Sequence, residues 1–505
     1  MSVTSNGVGN GHGPVAAKPA PKPAPPPATG GHNAPAGSKV SFQTPDGAKL
    51  SGTPSSFTRY LAVFEIYGGN TAELRTSAVL SDFRIELQGQ VIFAGKAVVQ
   101  KLLNIGSKTI CEVSLSEAEW KIPFGEKFLS QPETIAGEFN QLFLEWQKFY
   151  KVGPEFKVVV VDIQTFLHNL QLWLNQVELQ VRAVAGSQPQ FENRVLTAIG
   201  KTTTPILNRM FEKFEYVAEQ VHPDSHAAHS AFAKRILHSL LLCSPFLHRT
   251  FTKPLGYAGD YEMVNMLNRN PFEGGTLFAK IVNLWFWEQP PAEAHRNRLI
   301  YLAKRIEEEA VRLIGARRRL RVFNFACGPA VEVQEFLKRS LLARQVDFLL
   351  ADFNQETLDY SRSQFRAIQG FSSAEKAFKF QKKSVQQLLK ESDRIAAAAK
   401  DSSLQYDFVY CAGLFDYLTD RTCKELMNAF YNFVAPGGVL LVTNVDSSNP
   451  RRPTMDMIME WHLIYRNAEE FRGLRPDQAS PEDCTVVSDP TGVNIYMECR
   501  KPLNG

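Results

Sequence analysis

Two hydrophobic rhythms divide this chain. Between Val40 and about Phe124 apolar and polar residues alternate in short runs: Tyr60 to Tyr67, Thr76 to Leu80, Phe83 to Leu87, Gln90 to Leu102 and Thr109 to Leu115. Gly68-Gly69, Gly89 and Gly106 separate them. A period of two broken by glycine turns predicts a small antiparallel β-barrel over residues 40–125. From about Ser130 the spacing becomes helical, first at Phe139, Leu142, Phe143, Trp146 and Phe149, then at Phe166, Leu170, Leu172 and Leu174. This predicts a helical connector over 126–194 whose stripes serve as core or as a helix–helix interface, including that of a homodimer. After the polar break Ser187 to Glu192, a second helical block from Val195 to Gly315 predicts a cap region over 195–318. Strand-like and helix-like segments alternate over 319–505, the pattern of an α/β doubly wound sheet.

Within that last region, Val322 to Asp352 reads as strand, tight turn, helix and second strand, a βαβ unit. A ligand lying over the end of the first strand needs one turn position without a side chain, and Gly328 provides it between the small residues Ala326 and Ala330. Asp352, closing the second strand, can accept hydrogen bonds from both hydroxyls of a ribose. A dinucleotide would call for Gly-x-Gly-x-x-Gly, and no Walker lysine follows the turn. The turn therefore suits a nucleoside without phosphates better than NAD or ATP.

Composition narrows the reading. The chain has 505 residues, 44% of them hydrophobic, and no apolar run long enough for a membrane span. No apolar signal core stands at the N-terminus, so a cytoplasmic location is expected. Seven cysteines without a Cys-x-x-Cys pair predict free thiols rather than a disulfide framework or a zinc site. Of the net charge of +4, residues 1–39 supply +3 through Lys18, Lys22 and Lys39, and no nucleic-acid footprint is visible. This Gly-, Pro- and Ala-rich stretch is expected to be a disordered tail. His222, His226 and His229 with Asp224 have helical metal-ligand spacing but no partner motif elsewhere, so no metal is assigned. The basic run Arg317, Arg318, Arg319 and Arg321 is read as a helix end facing its dipole and solvent.

Several segments then form an ordered set. The turn Asn324-Phe325-Ala326-Cys327-Gly328-Pro329-Ala330, the acid Asp352, the strand Tyr406 to Cys411 and the bend Ala435-Pro436-Gly437-Gly438 before Val439 resemble a class I S-adenosylmethionine-dependent methyltransferase from Arg321 to Arg500. The resemblance implies a Rossmann-like seven-stranded domain with S-adenosylmethionine as cofactor. It places Asn324, Ala326, Cys327, Gly328 and Pro329 against the methionine part, Asp352 and Phe353 at the ribose, Ser384 and Val385 beside the adenine, and Cys411 at the cofactor's edge. Ala326 and Ala330 stand where many such enzymes have glycine, and Asn324 where many have an acid. In the barrel region, Leu80-Ser81-x-Phe83-x-Ile85, Gly89-x-x-Ile92-Phe93 and Cys111-Glu112-Val113 resemble a PilZ domain. That family binds cyclic diguanylate through paired arginines and an Asp/Asn-x-Ser-x-x-Gly turn. Here only Arg59 precedes the barrel and the final glycine after Ser81 is missing, so a barrel without that ligand is expected.

The cap carries its own candidates. Phe251 to Met263 reads as a structured loop entering a helix capped by Asp260, and Pro290 to Leu299 places Glu293, His295, Arg296, Asn297 and Arg298 on the helix feeding the sheet. Gly256-Tyr257-Ala258-Gly259-Asp260-Tyr261 and Arg296-Asn297-Arg298 are similar to the bacterial 3-hydroxypalmitic acid methyl ester biosynthesis family. By that resemblance the acceptor is a fatty-acid carboxylate or other small-molecule carboxylate, converted to a methyl ester, with Tyr257, Tyr261, Arg296 and Arg298 closing the site and meeting the carboxylate. An ionised carboxylate needs no general base. A hydroxyl acceptor would, and Asp416, flanked by Phe415 and Tyr417, is the nearest candidate unless it caps a helix beginning near Leu418. Met455, Ile458, Trp461 and Tyr465 are spaced as one apolar helix face that would hold an acyl chain. Two other readings stay open: a non-catalytic regulatory or scaffold protein, and a small-molecule hydroxyl O-methyltransferase.

Overall fold

The computed structural model describes residues 32–33, 38–58, 60–67, 74–87, 90–105, 108–115, 120, 152–185, 190–368, 377–397 and 405–503. Most of the expected tail, Arg59, the glycine turns at 68–69, 89 and 106, and the stripe from Phe139 to Phe149 lie outside the described residues.

The alternating segments form β1 (His32–Asn33), β2 (Lys39–Gln43), β3 (Lys49–Phe57), β4 (Leu61–Tyr67), β5 (Val79–Leu87), β6 (Gln90–Ile105) and β7 (Lys108–Leu115). All pair antiparallel in the order β1-β3-β2-β5-β6-β7-β4, and β4 pairs back to β3, so β2 to β7 close into a six-stranded barrel. Closure leaves every second side chain inside. Ala62, Phe64 and Ile66 of β4 point inward, and Phe64 packs 5.4 Å from Phe42 and 5.6 Å from Phe83.

The helical block comprises α1 (Pro154–Ala185), α2 (Phe191–Glu219), α3 (His226–Leu241), α4 (Pro245–Thr252), α5 (Tyr261–Asn268), α6 (Leu277–Trp287) and α7 (Pro290–Ile314). The buried stripe of α1 is Val160, Ile163, Leu167 and Leu174, and it shares one core with Leu207, Phe211 and Phe214 of α2. Leu172, assigned to that stripe from its spacing, is exposed instead. Helix α6 is apolar on nearly every side because neighbours surround it, with Trp285 4.3 Å from Phe211. Asp260 caps α5 as expected, accepting from the Met263 N–H at 2.9 Å.

The third layer is a sheet of β8 (Leu320–Phe325), β9 (Val346–Asp352), β10 (Phe378–Lys382), β11 (Tyr406–Cys411), β12 (Val434–Val445), β13 (Cys484–Ser488) and β14 (Asn494–Arg500). Their order is β10-β9-β8-β11-β12-β14-β13, and β14 runs antiparallel to both its neighbours. It is flanked by α8 (Val331–Arg339), α9 (Gln355–Ala367), α10 (Val385–Ala397) and α11 (Asp420–Phe433). Two short helices follow, α12 (Arg452–Met457) and α13 (Ala468–Arg472). Strand order reverses beside β8, and ligands of such sheets bind at the carboxyl ends of the strands there. The basic run pins this strand rather than facing solvent alone: Arg318 bonds Asp407 at 3.0 Å, and Arg319 bonds Asp347.

Two sequence expectations are corrected. Cys484 and Cys499 form a disulfide, because they sit directly opposite each other on β13 and β14. The other five cysteines are free thiols. Met455 to Tyr465 is not one helix: α12 ends at Met457, Glu460 adopts φ +49, and the chain runs on extended. Its backbone donors serve other elements, with Ile464 N–H to the Asp416 carbonyl at 2.6 Å and His462 N–H to Ser77 Oγ. Among the described residues, no helix is long and apolar enough to cross a membrane.

Candidate functional site

At the end of β8 the backbone turns sharply through three left-handed positions, Ala326 (φ +56), Gly328 (φ +53) and Ala330 (φ +48). The two alanines adopt a conformation for which glycine is the usual choice. The Gly328 N–H donates to Asp352 Oδ2 at 3.1 Å, the Asn354 N–H to its Oδ1 at 2.9 Å, and Ser361 Oγ donates to the Gly328 carbonyl at 2.9 Å. A side chain added at Gly328 would meet nothing within 4 Å, so the turn faces open space. Burial raises the pKa of the Asp352 carboxyl, opposed by those two N–H groups and by the charge of Arg75.

Behind the turn lies a closed polar network. Asn324 donates to Glu332 Oε1 at 3.1 Å and to the Tyr410 hydroxyl at 2.9 Å, and Tyr410 donates to Glu332 at 2.7 Å. Glu332, on the first turn of α8, brings a carboxyl to the position beside residue 324 that sequence reading left without one.

The turn opens into a cavity of about 180 Å³ that extends between the sheet and the cap. Gly328, Asp352, Phe353, Tyr257 and Arg75 line it, together with the apolar side chains of Met263, Trp285, Phe286, Leu299, Met455 and Trp461. Arg298 of α7 is part of the same lining. It is 8% exposed, its Nε is buried without a hydrogen-bond partner, and among the described residues no carboxylate forms an ion pair with it. Gly413 makes room for it: a Cβ there would come within 3.0 and 3.2 Å of the two Nη atoms. Neither ring nitrogen of His295, one turn earlier and also 8% exposed, has a partner. Burial, then Arg298 and Arg296, push its pKa far down, so the imidazole is neutral. Asp416 and Glu332 are near enough to feel the charge of Arg298 but not to pair with it directly, so an anionic ligand in the cavity would add a direct partner for a buried guanidinium.

Asp416 also lines the cavity, from a short 3-10 turn at Phe415–Tyr417. It does not cap a helix: α11 starts at Asp420, while Asp416 Oδ1 accepts the Val445 N–H at 2.6 Å. Burial raises its pKa, against the charge of Arg298.

Of the other expected residues, Asn324, Ala326, Cys327, Pro329, Tyr261 and Trp461 line the cavity. Tyr257 packs against Phe353 with ring centroids 5.4 Å apart and planes tilted by 53°, Tyr261 donates to Glu356 at 2.8 Å, and Trp461 Nε1 donates to the Tyr417 hydroxyl at 2.9 Å. Five stand elsewhere. Arg296 turns to the far side of α7, 3.6 Å above the Trp287 ring and bonded to its carbonyl, where the helix period carries it away from Arg298. Ser384 engages Gln387 at the start of α10, while Val385 and Cys411 are buried in the core between sheet and helices. Tyr465 lies under Arg452 at 4.7 Å because the predicted helix ends early. The histidines of the candidate metal cluster serve backbone groups: His229 bonds the Ser225 carbonyl and the Gly153 N–H, and His226 the Val221 carbonyl. Sequence reading missed Arg75, Glu332 and Asn494, and named His295 without a role. The segment before β5, the first turn of α8 and the start of β14 bring these to one cavity, and no local spacing signals such a meeting.

No protein-family model and no curated protein matches the chain. Among solved structures it is similar to a possible exported protein from Bordetella parapertussis, with 16% identity and a TM-score of 0.38 over 51% of this chain and 86% of that one. It is also similar to an O-methyltransferase family protein from Burkholderia thailandensis, with 16% identity and a TM-score of 0.30 over 44% and 62%. A third is magnesium protoporphyrin IX methyltransferase from Synechocystis PCC 6803 with bound SAH, with 8% identity and a TM-score of 0.29 over 41% and 84%.

Proposed function

We propose that the chain is an S-adenosylmethionine-dependent methyltransferase whose acceptor is a carboxylate on an apolar body, a fatty acid being the favoured case. The observation that carries this reading is the cavity itself, whose single lining combines the turn at Gly328, a ribose-competent acid, a buried guanidinium whose Nε has no hydrogen-bond partner, and apolar walls. The cradle fits the cofactor: the space above Gly328 admits the methionine part, Asp352 has lone pairs for a ribose diol, and Phe353 offers an aromatic ring to a base. When bound, S-adenosylmethionine supplies a methyl carbon that is already electrophilic.

The protein's part is then placement. Arg298 holds the acceptor carboxylate by charge-assisted hydrogen bonds, and the cavity walls take the apolar body and keep water away. Proton removal is unnecessary for an ionised carboxylate, which agrees with the engagement of Asp416 by the Val445 N–H.

Calorimetric titration of S-adenosylmethionine into the wild type and Asp352→Ala tests the cofactor site, and fatty-acid methylation by the wild type and Arg298→Ala tests the acceptor. The expected results are binding lost in Asp352→Ala and turnover lost in Arg298→Ala with the fold intact. No binding by the wild type would bring forward the scaffold reading. That reading leaned on the replaced glycines, and it weakens because Ala326 and Ala330 already take up the backbone conformation glycine would have. A hydroxyl acceptor has one observation in its favour, the neutral imidazole of His295 at the cavity wall. It would show as a pH–rate profile that depends on His295 or Asp416.

A further inference from the structure

The barrel reaches into the cavity. Its segment from Leu74 to Ala78 leads into β5, and Arg75 and Thr76 line the cavity wall beside Phe353 and Tyr257. The Arg75 guanidinium lies 4.5 Å above the Phe353 ring, the residue directly after Asp352. Four contacts fix this segment to three separate parts of the cap and sheet. The Thr76 N–H donates to the Tyr417 carbonyl at 3.3 Å, and the Val79 N–H to the Gly256 carbonyl at 2.6 Å. Ser77 Oγ donates to the Glu460 carbonyl at 3.1 Å and accepts from the His462 N–H. Within the barrel, the Ser77 N–H bonds the Val99 carbonyl at 2.7 Å, so the segment is anchored at both ends. Gly256 permits the approach, since a Cβ there would fall 2.9 Å from Pro45 of the barrel.

We propose that the barrel is a structural part of the nucleoside site and that Arg75 is a positioning residue, acting through Asp352 and Phe353 to hold the acid and the ring in the state that receives the ligand. This rests on the nucleoside reading of the cradle and goes beyond it by assigning the barrel a place in the site, where sequence reading expected only a barrel without its family's ligand. The geometry gives Arg75 two tasks. Its flat cation covers one face of Phe353, and with Tyr257, whose ring centroid lies 5.4 Å away at 53°, it fixes the orientation of that ring. Its charge also counters the burial that raises the Asp352 carboxyl. The other titratable groups facing Asp352 are Tyr257, from the cap loop, and Cys327, from the turn. Burial and Asp352 itself hold both far above their ordinary pKa, so both are neutral near pH 7. A ribose diol donates two hydrogen bonds, and only the ionised carboxylate accepts both.

The test uses the full chain and two probes, S-adenosylmethionine and adenosine, which has no group titrating between about pH 6 and 9. R75M keeps an unbranched apolar stem over Phe353 without the charge, and R75K keeps the charge. R75M is expected to bind both probes about tenfold more weakly at pH 7, a loss suited to one charge-assisted contact. Its adenosine affinity should also recover only at a higher pH than that of the wild type, because Asp352 ionises later without the cation. R75K should keep the wild-type midpoint. A role confined to packing would lower the melting temperature and leave the pH midpoint in place. Affinity within about twofold of the wild type, with an unmoved midpoint, would overturn the proposal. If R75M does not fold, R75Q measured in the same way decides. If the wild type itself binds neither probe, the nucleoside reading has failed, and that outcome is distinct from a failure of Arg75 alone.

Discussion

Exchanging alanine and glycine in the turn after β8 separates backbone cost from ligand space. Ala326 sits at φ +56, where an L-residue with a Cβ is strained by about 1–2 kcal/mol relative to glycine. Glycine adds back about 0.4–1 kcal/mol through the greater freedom of the unfolded chain. Ala326→Gly should therefore stabilise the protein by roughly 0.5–1 kcal/mol, a rise in melting temperature of a few degrees. Gly328→Ala reverses the account, with a loss of roughly 0.5–1 kcal/mol, and its new methyl meets no protein atom within 4 Å. That methyl would stand where the cofactor has to come close. The variant should fold nearly as well as the wild type and bind S-adenosylmethionine at least about tenfold more weakly. Urea unfolding gives the first pair of numbers and calorimetric titration the second. Wild-type affinity in Gly328→Ala would show that no ligand lies against this turn. Destabilisation of more than about 1 kcal/mol in Ala326→Gly would show that its methyl does more for packing than its backbone costs.

Three further outcomes follow from the geometry. Gly413→Ala should push the Arg298 guanidinium off its position, since the new Cβ falls 3.0 Å from one Nη; turnover of carboxylate acceptors should drop while S-adenosylmethionine affinity stays within about twofold, and a fall in both would refute this. Replacing Cys484 with serine opens a loop closed by a cross-link 15 residues apart and should cost about 3 kcal/mol in urea unfolding under oxidising conditions; equal stability of wild type and variant would refute it. Glu460 provides the pH prediction. Burial raises its pKa, yet Lys234 and Lys253 draw it down to about 2 from 4.5. The folded value lies below the unfolded one, so this carboxylate contributes stability in full above pH 4.5 and loses it as pH falls through about 2. Glu460→Gln should flatten that part of the stability–pH curve and lower stability at pH 7, where the buried Lys253 and the half-buried Lys234 lose its charge.

Local pattern carried the turn and its strands well. The expected unit from Val322 to Asp352 is realised as β8, α8 and β9, because apolar periodicity and a single glycine fix a βαβ turn within a few residues of sequence. The barrel was legible for the same reason, although β2 and β3 were not picked out: Lys39 to Gln43 is only five residues long, and Lys49 to Phe57 has no clean alternation. Long-range meetings were not legible. Cys484 and Cys499 read as two unrelated thiols until β13 and β14 pair, and Arg75 reads as one more barrel residue until its segment meets Tyr417 and Gly256. Met455 to Tyr465 misled because a helical spacing of apolar residues also suits a chain that winds along a cavity, touching it with Met455 and Trp461. Helical phase likewise decided between Arg296 and Arg298: two positions apart, they face different sides of α7, and only the second reaches the cavity.

Helix α7 spans the boundary between cap and sheet without a break. Near its start Ala292 belongs to the core of the cap, and farther along Leu302, Ile306, Ala310 and Leu313 are embedded in the core beneath β8. At 25 residues it is a rod of roughly 37 Å, clamped at both ends, with Arg298 near the point where the two layers meet. A clamped rod does not hinge. Any rotation of the cap against the sheet would have to bend this helix or tear one end from its core, so opening by rigid-body swing is closed to this architecture. Any exchange of ligand in the cavity is then left to motions smaller than a swing of the whole cap.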